Sequence, residues 1–143
     1  MWEKLKFLAV VPNQENQNYT AYLFSRKTQH ILPLDIDIQA VDSLMLTTNN
    51  IVLPQPQIHD VFRETLLELG ANVVGVKIES FEDNVFDTNL EIQDKNAKHT
   101  IRLKIADGIN IGLRFNAPIL IKNDVMRKCG IFVSKELLHE ALV

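Results

Sequence analysis

The apolar residues Ile58, Val61, Phe62, Thr65, Leu66 and Leu69 fall at i, i+3, i+4, i+7, i+8 and i+11, and Gly70 follows them. That spacing draws one apolar stripe along a helix, and a glycine just past its last turn supplies the usual stop. The opposite side carries His59, Asp60, Arg63, Glu64 and Glu68. Such a helix needs an apolar surface to cover. The flanking sequence supplies it as strands.

Ahead of the helix, Leu5 to Val11, Thr20 to Phe24 and His30 to Leu34 alternate as strands, separated by the polar stretches Pro12 to Asn18 and Ser25 to Gln29. A helix is expected from Ile38, with Val41, Leu44, Met45 and Thr48 on its inner side and Asp35 or Asp37 as its cap. Asn49, Asn50, Pro54 and Pro56 mark a connection. After Gly70, strands are expected at Asn72 to Ser80, Val85 to Gln93 and His99 to Ile105. A short helix from about Ala106 to Phe115 follows, in which Gly112 permits a close approach to a neighbour, and then a buried strand over Ala117 to Ile121. The tail ends in a helix opened by Ser134 with Leu137, Leu138, Ala141 and Leu142 apolar. The fold class is α+β, with two antiparallel β-meanders and packed helices. A shift of about 69 residues aligns His30 with His99, Leu34 with Leu103, Ile36 with Ile105 and Leu44 with Leu113, which suggests a βββα duplication. Residues 1–121 are expected to form one domain and 122–143 a C-terminal extension with a short helix.

A chain of 143 residues, 46% hydrophobic and 23% charged, can bury a core without metals or disulfides. The lone Cys129 can form neither an intramolecular disulfide nor a cysteine metal site, and its plain role is a small residue at the core edge. The apolar run near the N-terminus is too short for a signal peptide, and no stretch reaches the roughly 20 apolar residues of a membrane span. A cytoplasmic protein without membrane partners is expected. Its net charge of −3, from 15 basic and 18 acidic side chains, offers no broad basic field for a phosphate backbone, though a local patch is still open. The single Trp2 and the low aromatic share give no evident stacking platform for single-stranded nucleic acid. The five glycines form neither GxGxxG nor GxxxxGK[ST], and GxSxG, HExxH and paired CxxC are also absent.

Several segments together resemble the bifunctional nuclease family, also called the DNase/RNase domain. They are Leu32-Pro33-Leu34, Gln39-Ala40, Pro56-Gln57-Ile58-His59-Asp60, Leu66-Leu67-Glu68-Leu69-Gly70-Ala71, Asp107-Gly108-Ile109 and Asn116-Ala117-Pro118-Ile119. The resemblance runs from about Leu32 to Ile121. The family enters its long helix through Pro-x-Thr-His-Asp, of which His59 and Asp60 are kept and the threonine is not. It enters its short helix through Arg-Pro-Ser-Asp-Ala, where this chain reads Lys104-Ile105-Ala106-Asp107-Gly108 and keeps the aspartate. Arg102 stands where the family usually has an acid.

The resemblance implies metal-assisted hydrolysis of DNA or RNA, with Mg²⁺ or Mn²⁺ held by carboxylates. The catalytic candidates are His59, Asp60, Lys104 and Asp107, with Asp60 and Asp107 as metal ligands and His59 as a general base. Asp35 and Asp37 are further carboxylates of the right type, and Lys104, Arg102 or Arg63 could stabilise developing charge. Each has a plainer role as well. Asp37, Asp60 and Asp107 fall in first helical turns, where carboxylates cap free N–H groups; His59 is a polar-face residue; Lys104 is a solvated strand residue; His30 and His99 open strands. The loss of serine and arginine at the second motif favours the alternative, a non-catalytic homo-oligomer, expected as a dimer, with the tail from Met126 to Val143 as its contact element.

Overall fold

The structure is a computed structural model that describes residues 1–142; the side chains of Leu138, Ala141 and Leu142, and all of Val143, lie outside the described residues. The expected apolar tail face is therefore described only at Leu137, which is exposed.

The first meander consists of β1 (Trp2–Pro12), β2 (Tyr19–Ser25) and β3 (His30–Ile36), followed by α1 (Ile38–Thr48). Asp37, rather than Asp35, caps α1 by accepting from the Ala40 N–H at 2.9 Å. α2 (Ile58–Glu68) ends as its sequence requires. Gly70 takes φ +75°, and the N–H groups of Gly70 and Ala71 reach the carbonyls of Leu67 and Leu66. That pairing satisfies two carbonyls the helix leaves open.

The second meander follows as β4 (Asn72–Glu82), β5 (Val85–Gln93) and β6 (Lys98–Leu103). Its first turn places Asp83 and Asn84 at φ +52° and +60°, the left-handed pair that tight hairpins favour. α3 (Ile105–Arg114) leads to β7 (Ile119–Lys122), then to α4 (Asn123–Cys129), β8 (Ile131–Phe132) and α5 (Lys135–Leu142). Ser134 opens α5 by accepting from the Leu137 N–H, as its sequence implies.

All eight strands form one sheet in the order β6-β5-β4-β7-β1-β2-β3-β8. The two expected meanders are therefore halves of a single sheet, joined by β7, which lies parallel to β4 and antiparallel to β1. The α+β class holds, and the order βββα occurs twice. Strand alternation turns Leu23, Leu32, Val76, Ile78, Leu90 and Ile121 to one buried face. α3 lies across β4 and β5, α4 lies over β3, β4 and β7, and α1 and α2 pack on α3.

Gly108 and Gly112 face the sheet, and a Cβ on Gly112 would stand 2.8 Å from Val76 Cγ2, so α3 approaches as closely as its sequence allows. α4 was not anticipated: its Val125 and Met126 are core residues, so the buried core continues beyond Ile121. α2 has no buried residue. Its stripe makes contact through Phe62 and Leu66 while Ile58 and Leu69 are left 74% and 75% exposed.

Candidate active site

α1, α2 and α3 enclose a chain of polar side chains. Arg114, at the end of α3, has 5% of its side chain exposed and donates from Nε to Asp60 Oδ1 at 2.7 Å and from Nη2 to Ser43 Oγ at 3.0 Å. Ser43 Oγ lies 2.9 Å from His59 Nδ1, and His59 Nε2 lies 3.0 Å from Asp107 Oδ1. The Ser43 oxygen accepts from Arg114 and is paired with Nδ1, and either ring state of His59 can pair with both Ser43 and Asp107: Nδ1 takes the Ser43 hydrogen or donates to its oxygen, while Nε2–H donates to Asp107.

Three of the four sequence candidates meet here: His59 contacts Asp107 directly, and Asp60 joins through Arg114 and Ser43. Lys104 does not share a hydrogen bond or ion pair with them among the described residues. It is the exposed N-cap of α3 rather than a strand residue, one turn before Asp107, and no side chain caps that helix start. Lys104 and Asp35 instead line a recess of about 740 Å³ between β3, the β4–β5 hairpin and the end of α4. Cys129 borders the same recess; burial pushes its thiol upward and the nearby Lys128 partly offsets this.

The two carboxylates differ in what they can still bind. Asp60 accepts from Arg114 through Oδ1 and from the Gln57 N–H through Oδ2. Burial pushes its carboxyl upward, but the hydrogen bonds from Arg114 and Gln57 and the nearby positive charge outweigh this and hold it below the ordinary range. Asp60 is thus an anchor for Arg114, with both oxygens engaged. Asp107 is 48% exposed and pairs with His59 through Oδ1, which leaves Oδ2 without a protein partner among the described residues. Among the described residues no three His, Cys, Asp or Glu side chains form a ready metal cluster. Asp107 is the carboxylate here with an oxygen left for a cation, which would have to draw the rest of its shell from water or substrate.

His59 has both ring nitrogens engaged, a geometry suited to orienting Asp107. Arg102 lies 3.0 Å from Asp87 on the β5–β6 edge, and Arg63 pairs with its neighbour Glu64. His30 turns its Nδ1 to the Thr28 carbonyl, and His99 pairs with Asp94 in the β5–β6 turn. Sequence reasoning missed Ser43 and Arg114. Arg114 had a signal: Asp107, Asn110 and Arg114 form a polar stripe at i, i+3 and i+7 along an otherwise apolar helix.

The bifunctional nuclease domain matches residues 22–134, a wider span than the sequence segments alone indicate. Two uncharacterized proteins from two strains of Mycobacterium tuberculosis are each 27% identical to this chain over 110 residues. That overlap covers 77% of this chain and 65% of each relative, so the chain spans just under two thirds of the length of these curated relatives. With the match extending over most of its length, the chain belongs to the bifunctional nuclease domain family.

Proposed function

We propose that this chain hydrolyses nucleic-acid phosphodiesters at the outer end of the Arg114–Ser43–His59–Asp107 chain. The observation that carries this reading is the half-exposed Asp107 carboxylate, with Oδ1 held by the largely covered His59 imidazole and Oδ2 without a protein partner among the described residues. A bound Mg²⁺ or Mn²⁺ would polarise the phosphodiester and acidify the attacking water. Asp107 is the residue that would hold it. His59 is a positioning residue that fixes the carboxylate, and Arg114 fixes His59 through Ser43. Lys104 and the uncapped first turn of α3 are the nearby positive groups for a phosphate oxygen.

The test incubates the protein with labelled single- and double-stranded DNA and RNA, with Mg²⁺, with Mn²⁺ and with EDTA. Asp107→Asn keeps an acceptor for His59 but loses the charge, and its cleavage rate should fall by about 10²-fold. His59→Gln should lose about tenfold, the scale of a residue that orients a metal ligand. Cleavage unchanged by Asp107→Asn, or none from the parent chain with either metal, sinks the proposal.

A non-catalytic, oligomeric role is the second reading. It is favoured by Val52, Ile58 and Leu69, which are 92%, 74% and 75% exposed before, on and just after α2. Sedimentation of the full chain and of an Ile58→Asp, Leu69→Asp variant tests this, and a monomer in both counts against it.

A further inference from the structure

The face of the sheet turned away from the helices carries cations and aromatic rings that the chemistry above does not use. Along β1, Trp2, Lys4 and Lys6 alternate with the buried Glu3 and Leu5, so they share the outer face at ~6.7 Å intervals. The strand register sets Phe24 opposite Lys6, Tyr22 opposite Ala9 and Lys122 opposite Trp2. Arg26 continues the outward row of Tyr22 and Phe24 just past the end of β2. The three rings are each partly exposed. The ammonium groups of Lys77 and Lys122 stand 5.2 and 5.7 Å from the Trp2 ring centre.

These cations are largely uncompensated. Lys77 pairs with Glu91, but among the described residues Lys4, Lys6 and Arg26 have no carboxylate partner. β7 ends its pairing with β1 at Leu5, and beyond that point a groove of about 550 Å³ opens between β1 and the Ala117–Pro118 turn. Its floor reaches the core at Leu5, Ile119 and Leu113 of α3, Phe24 and Leu8 give it apolar walls, Lys4, Lys6 and Arg26 line it, and no acid does. In a chain of net charge −3, this concentration of positive charge on one face is a local feature.

We propose that this face binds single-stranded nucleic acid along β1, with backbone phosphates at Lys4, Lys6 and Arg26 and bases against Phe24 and Trp2. Charge complementarity calls for an anionic occupant, and a row of cations on alternate residues suits a repeating one. Partly exposed rings beside the cations favour an occupant with free flat faces, which a single strand offers and a duplex hides. The inference stands apart from the phosphodiester reading, because binding here needs neither Asp107 nor a metal.

The full chain is titrated in EDTA against a fluorescent oligothymidylate of about 12 nucleotides, the upper range of one binding face. A duplex of equal length and anionic phosphatidylserine vesicles are titrated in parallel. Trp2 is the sole tryptophan, so quenching of intrinsic emission reports occupancy at that end of the strip. The single strand should bind at least about tenfold tighter than the duplex, with Trp2 quenched. Lys4→Ala and Lys6→Ala should each lower the slope of log affinity against log salt by about 0.7, as loss of one phosphate contact requires. Phe24→Ala should weaken binding about fivefold or more with the salt slope unchanged. Asp107→Asn should bind as the parent does, which separates this face from the candidate active site. Circular dichroism checks that the surface variants keep the fold. The proposal is overturned if the lysine variants bind normally, if duplex binds as well as single strand, if Phe24→Ala and Trp2 emission are both unresponsive, or if vesicles bind and the oligonucleotide does not.

Discussion

Replacing Arg114 with methionine keeps most of the side chain's bulk and removes every hydrogen bond of its guanidinium. Those bonds reach Asp60 Oδ1 at 2.7 Å, Ser43 Oγ at 3.0 Å, and the Asn110 carbonyl and Oδ1 at 3.2 and 3.3 Å. Breaking a fully buried pair costs roughly 3–5 kcal/mol, because it strands the remaining charge. Asp60 is 44% exposed and can recover water, and the buried methionine restores some apolar stabilisation, so the cost must be discounted. What remains is mainly the stranded Ser43 and Asn110 side-chain oxygens and the lost charge-assisted bonds, for a net loss of about 2 kcal/mol. For a chain of this size that lowers the midpoint of thermal unfolding by roughly 6 °C.

The same variant tests the electrostatics. Arg114 helps hold the Asp60 carboxyl below its ordinary range in the folded chain. A carboxyl lowered on folding stabilises the fold above its unfolded pKa, and that contribution is lost as pH falls through the lower folded pKa. The stability gap between parent and Arg114→Met should therefore be largest near neutrality and narrow in acid. Urea denaturation at several pH values measures it. A neutral-pH loss below about 0.5 kcal/mol, the ordinary range of a surface change, would refute the reasoning. So would a gap that stays constant or widens through the acid range.

Gly112→Ala gains about 1 kcal/mol of helix propensity but sets a Cβ 2.8 Å from the fully buried Val76, where overpacking costs roughly 1–3 kcal/mol. A net loss in urea denaturation is expected, and a gain would show that α3 can lift without cost. Glu3 is 1% exposed and accepts from Ser25 Oγ at 2.6 Å and from Thr28 Oγ1 at 2.5 Å, so Glu3→Ala strands the buried Ser25 hydroxyl and should cost roughly 1–3 kcal/mol, with Glu3→Gln milder. Equal stability of Glu3→Ala and the parent would contradict this. Asp94 accepts from the Ala97 and Asn96 N–H groups and from His99, which hold its carboxyl at about 2. Carbon-detected NMR should find it titrating there, and His99→Ala should leave most of the depression intact because the backbone groups are the larger cause.

Local chemistry was legible in the sequence because it acts over a few residues. Asp37 caps α1, Gly70 ends α2 and Asp83-Asn84 turns the β4–β5 hairpin, each through contacts with near neighbours. The candidate site required distance. Ser43 and Arg114 are 71 residues apart and meet only after α1 and α3 have packed, so the polar stripe on α3 marks Arg114 locally but nothing in the sequence near Ser43 names it as the partner. Asp107 read as a capping residue; its side chain turns instead to His59, 48 residues away. Glu3 was readable in part, since alternation aligns it with Leu5, but its partners Ser25 and Thr28 come from another strand and turn. α4 was passed over because seven residues hold too little periodicity to separate a helix from a tail.

The place of β7 in the sheet sets an order of assembly. Each meander pairs neighbouring strands and can close its hydrogen bonds as soon as its own turns form. β1 and β4 have no bond to each other, and four residues near position 120 are the strand between them. During synthesis the two halves must therefore wait, with β1 and β4 as open edges, until α3 has passed and β7 emerges. The sequence separation from Trp2 to Ile119 is thus the length of chain over which β1 lacks its β7 partner.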